Sequence, residues 1–159
     1  MDENDLPVAK PVPVPRTGLI VRLVLLLIAG GLAIVFAVAF WLNPYEPDGT
    51  PRRMSTHTQL GVPPCNFLVV TGKPCPACGM TTSFALLVRG DLAASLRANW
   101  AGTLIAVLWA FTMVWAVVSG IKGRVLLIPH GKGEFVLTVT VGIVLALMLI
   151  RWAGVLLSQ

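Results

Sequence analysis

The sequence predicts an all-α membrane protein: three transmembrane helices, a short interfacial helix and a cysteine-containing extramembrane loop. Three observations carry that expectation. The chain of 159 residues is 56% hydrophobic and only 12% charged, about half the charged fraction of an ordinary soluble domain. Three apolar stretches, Leu19 to Leu42, Trp100 to Ile121 and Phe135 to Leu157, approach or exceed the ~20 residues that a spanning helix needs. Finally, all three cysteines fall in one polar, proline-punctuated segment between the first two stretches.

Residues 1–18 are acidic and then proline-rich, ending in KPVPVPR. Each proline lacks an amide donor, so this segment reads as a disordered tail of polyproline character. The first span, 19–42, carries only Arg22 near its start. Its apolar core is longer than that of a signal peptide and no small-residue cleavage site precedes Asn43, so it is expected to remain as an anchor. Prolines and a glycine in NPYEPDGTPRR then break the helix, and residues 43–79 read as an irregular cysteine loop. From Met80 the pattern turns helical, with Met80, Phe84, Leu87 and Val88 on one face. Gly90 suits the position after a helix end, and Asp91 suits a new N-cap. Residues 80–98 carry Arg89, Asp91 and Arg97 and are expected to lie at the membrane interface. The second span (100–121) and third span (135–157) flank a basic loop, 122–134. Arg22 and Arg151 sit where a long side chain reaches the headgroups.

Small residues recur every four positions in each span: Ala29, Ala33, Ala37; Gly102, Ala106, Ala110; and Thr138, Gly142, Ala146. Such seams let helices approach closely, within one bundle or between copies. Basic residues bias the tail and the 122–134 loop to the cytoplasm. The cysteine loop and the C-terminus are then outside, as in a multi-pass protein of a bacterial inner membrane. The expected partners are the lipid bilayer and, in addition, further copies of the chain or other membrane proteins. The net charge of +5 is scattered, without basic runs or interleaved aromatics, so nucleic acid is not an expected partner. No Ser-His-Asp set, phosphate loop or HExxH motif is present, and no acidic residue lies at the centre of a span. The last absence argues against a proton-coupled transporter.

The chemistry lies in Cys65, Cys75 and Cys78, and three readings stay open. The leading one is a structural or assembly protein, in which a structural disulfide staples a loop with little core of its own. Cys75-Pro76-Ala77-Cys78-Gly79 also has the shape of one metal-binding knuckle; zinc needs four ligands, and Cys65 and His57 are the candidates to complete the set. His130 lies in the opposite loop. Thiol–disulfide chemistry is the third reading, with Cys75 before a helix turn, Cys65 as its partner and Lys73 nearby. Gly79 counts against a helix starting at Cys75.

The run CNFLVVTGKPCPACGMTTSFALLVRGDLAASLRAN resembles the core of domain of unknown function 2752, a family of small bacterial inner-membrane proteins. Cys65, Thr71, Gly72, Cys75, Pro76, Cys78, Gly79, Met80, Thr81, Gly90, Asp91 and Asn99 fit its pattern. Ala77, Thr82 and Trp100 depart from it, standing where Gly, Arg and Pro are usual. The last departure implies that the helix from Asp91 runs on into the second span. The resemblance implies membrane placement and weight on the cysteine motif, but no activity.

Overall fold

The computed structural model describes residues 17–126 and 132–157. The expected tail, apart from its last two residues, and residues 127–131 of the basic loop, with Lys10, Arg16 and His130 among them, lie outside the described residues. Among the described residues the chain is helical: α1 (Leu19–Trp41), α2 (Asn66–Thr71), α3 (Met80–Leu87), α4 (Leu92–Lys122) and α5 (Gly133–Leu157), with a 3₁₀ turn at Thr56–Leu60. Three of these helices, α1, α4 and α5, are long and apolar enough to cross a membrane.

α1 and α4 run antiparallel. At one end the Thr17 amide donates to the Gly123 carbonyl (2.9 Å) and the Arg22 guanidinium to the Gly120 carbonyl (3.0 Å). A Cβ on Gly120 would stand 3.1 Å from the Leu26 side chain, which would have to shift, so the small residue eases the close approach of the two helices. Along the bundle, Leu25 and Ala29 pack with Ala116, and Ala39 packs with Phe84, Ile105 and Ala106. At the other end, α1 stops before Pro44, and its last carbonyls need partners. Arg89 supplies them, donating to Ala39 O (3.2 Å) and Phe40 O (2.6 Å) with its charge 5.6 Å from the Phe40 ring centre. A cation at a helix C-terminus is also favoured by the helix dipole.

α3 and α4 form a hairpin at the expected place. Gly90 adopts φ 81, and the Asp91 carboxylate accepts from the Ala94 amide at 3.0 Å. Phe84 is buried, and Met80, Leu87 and Val88 pack beside it, which is the face read from the sequence. The hairpin also encloses polar groups, every one of them paired. The Ser95 hydroxyl donates to Ser83 O (2.8 Å) and lies 2.7 Å from the Thr103 hydroxyl, and the Thr56 and Thr82 hydroxyls lie 2.8 Å apart. Such satisfied buried networks fix one arrangement of the backbone.

Three expectations need correction. Residues 54–74 are not irregular throughout: they form the 3₁₀ turn and α2. The helix from Leu92 does run into the second span, but it kinks at Asn99 (φ −160, ψ 96). The small-residue seams hold only in part. Gly102 and Ala106 are buried, yet Ala33, Ala37, Thr138, Gly142 and Ala146 are exposed. On α1 the contact is made by Ala29 of the seam together with Leu25.

Candidate metal centre

The three cysteine sulfurs converge. All lie within 4.8 Å of one another, and each residue is half-buried. Two tetrahedral ligands of a zinc ion stand about 3.8 Å apart, given Zn–S bonds near 2.3 Å, so the cluster is compatible with a single ion. The expected disulfide is not present among these residues. All three are free thiols, and the sulfurs of Cys75 and Cys78 are 3.1 Å apart against about 2.05 Å for a bond.

Local structure explains the convergence. Cys65 directly precedes α2, and α2 ends at Gly72, which turns the chain back through Lys73 and Pro74 to Cys75. Residues 76–79 form a tight turn, in which the Cys78 amide donates to Cys75 O (3.0 Å) and the Cys75 amide to the Cys78 sulfur (3.2 Å). Gly79 closes the turn at φ 83; a Cβ there would lie 2.8 Å from both Ala98 O and Arg53 O. Only glycine accepts both the left-handed backbone and that contact. α3 begins at Met80, after the turn, so Cys75 does not head a helix as the redox reading required.

Asn99 ties the turn to the long helix. Its side-chain amide donates to Cys78 O (3.1 Å), and its oxygen accepts from the Gly102 amide (2.9 Å). One side chain therefore caps the second half of α4, satisfying the kink, and holds the cysteine turn.

α5 contributes two residues that sequence reasoning assigned to other roles or passed over. Arg151 is half-buried and donates to Ala98 O (3.1 Å) and, at the limit of bonding distance, to Pro76 O (3.5 Å). The Trp152 indole donates to Pro74 O (2.8 Å), and its ring meets Phe67 edge-on at 6.1 Å. No local signal marks these contacts, since they join residues 53 or more positions apart.

The sulfurs differ in character. The Leu68 amide, then the neighbouring Cys75 thiol, draw the Cys65 pKa below its ordinary value. Burial, then the hydrogen bond with Cys75, push the Cys78 thiol up to about 12. His57 lines the same cavity of about 180 Å³. Among the described residues it is not part of the cluster of mutually close ligand atoms.

Residues 65–113 match the family described as a protein of unknown function (DUF2752). The resemblance read from the cysteine motif is borne out over that stretch. The match begins at Cys65 and takes in the knuckle, the α3–α4 hairpin and Asn99, the parts that build this site. No curated protein and no solved structure matches the chain.

Proposed function

We propose that this is a membrane-anchored protein that binds one thiophilic metal ion through Cys65, Cys75 and Cys78. The observation that carries the reading is the convergence of the three sulfurs within 4.8 Å from two separate pieces of chain. Half-burial removes part of the competing water, and each metal–sulfur bond releases one proton, so binding strengthens as pH rises. Arg151, beneath the turn, offsets negative charge on the thiolates. The fold supports the reading, because Gly79 and Asn99 hold the turn through contacts within the protein. His57 lines the cavity wall, outside the cluster of mutually close ligand atoms among the described residues.

The placement proposed is a bacterial inner membrane, with the N-terminus cytoplasmic and the cysteine cluster and C-terminus outside. The end of α5 lies beside the cysteine loop, as three crossings require. In this arrangement 80–98 sits near the interface, and a second copy or another membrane protein covers the exposed seam of α5. A second reading, thiol–disulfide exchange, is favoured by the 3.1 Å approach of Cys75 and Cys78. The deciding experiment is elemental analysis of the purified protein. One ion per chain, lost in the variant with Cys75→Ser and Cys78→Ser, supports the metal reading. Metal-free protein that keeps its helical content contradicts it.

A further inference from the structure

We infer that the metal is a soft monovalent ion, Cu(I), in preference to Zn(II); this rests on the metal reading above. The donor count points that way. A structural zinc ion closes a tetrahedron of four ligands, and among the described residues the cluster holds three sulfurs with no histidine or carboxylate beside them. A monovalent d¹⁰ ion is satisfied by three thiolates in a plane.

The cavity wall agrees. Beside the cysteines it carries Met54 and Met80 and no Asp or Glu. Thioethers are ligands and close neighbours for Cu(I), whereas zinc takes Cys, His and carboxylate. The one nitrogen donor on the wall, His57, belongs to the 3₁₀ turn. Its neighbour Thr56 is fully buried and bonded to Thr82, which fixes the backbone from which the ring would have to swing.

Loading transfers no electrons. Three S–H bonds are replaced by three S–Cu bonds, and three protons pass to water. The product carries excess negative charge on sulfur, and the Arg151 guanidinium, held by Ala98 O, is close enough to interact electrostatically with Cys78 and Cys75.

The test uses the full chain in detergent micelles, titrated without oxygen with Cu(I) against a chromophoric chelator and, separately, with Zn(II). X-ray absorption then reads the ligand shell. The expected result is one Cu(I) per chain with a shell of sulfur alone. Cys78→Ser should weaken binding by at least about 100-fold, the upper end of what losing even a supporting contact costs, and His57→Ala should leave it unchanged. Retention of zinc over copper, with a nitrogen in the shell that His57→Ala removes, overturns the inference and leaves the metal reading standing. Binding of neither ion by protein with native helical content overturns both.

Discussion

α1 and α5 are both apolar helices of spanning length, 23 and 25 residues, yet they meet the rest of the molecule differently. α1 buries Leu25, Ala29 and Ala39, and both of its ends are tied, through Arg22 to Gly120 and through Arg89 to its last carbonyls. α5 buries no residue. Val144 and Met148 lean on the core, and its strongest polar ties are Arg151 and Trp152 to the cysteine loop and Ala98. Hydropathy therefore measures fitness for lipid, while packing depends on where backbones come close. α1 is part of the scaffold that shapes the site; α5 is a strut that ends at it.

The largest expected effect comes from the close approach. Gly120→Leu drives a side chain into Leu26 and should destabilise the α1–α4 pair by about 1–3 kcal/mol, as overpacking does. Gly142→Leu, at a position with open space around it, should leave thermal stability in detergent unchanged. If Gly142→Leu also lowers the order of an oligomer, the α5 seam serves a second copy and the contrast sharpens. If the two variants lose stability equally, the contrast fails.

The two arginines give the next effect. Arg89→Ala exposes the end of α1 and should cost about 2 kcal/mol in unfolding experiments, the scale of hydrogen bonds to a charged group. Arg151→Ala should cost less stability but weaken metal binding about tenfold, as loss of a supporting contact does. The reverse ranking would place α5 in the scaffold.

A smaller effect lies within the site. In metal-free protein at neutral pH, Cys65 should alkylate faster than Cys78. A lowered pKa leaves more Cys65 as thiolate, while Cys78, pushed up to about 12, stays protonated until far above neutrality. Raising the pH from 7 to 9 should increase labelling at both positions, with Cys78 still the slower. Mass spectrometry of partly labelled protein reads the order directly.

The spans, the α3 face and the Gly90–Asp91 boundary were legible in the sequence because each is written in local periodicity or capping chemistry. α2 was not, since six residues between turn signals leave no measurable period. The knuckle at Cys75–Gly79 was visible as a motif, but nine intervening residues do not say whether Cys65 returns to it. Asn99 stood out by resemblance, without the double role that the kink reveals. Arg151 and Trp152 act on a loop 75 or more residues away, so only the folded helices bring them to it. The α5 seam shows the limit of spacing: small residues mark a face that allows contact, and here the protein leaves that face exposed.

The central claim is that three sulfurs from two pieces of chain hold one ion. It is tested most directly by counting reactive thiols in anaerobically purified protein before and after a strong chelator, alongside metal content. The account predicts one ion and protected cysteines before chelation, then no ion and three reactive thiols after it. Three reactive thiols and no metal at the outset, in protein with native helical content, would contradict it.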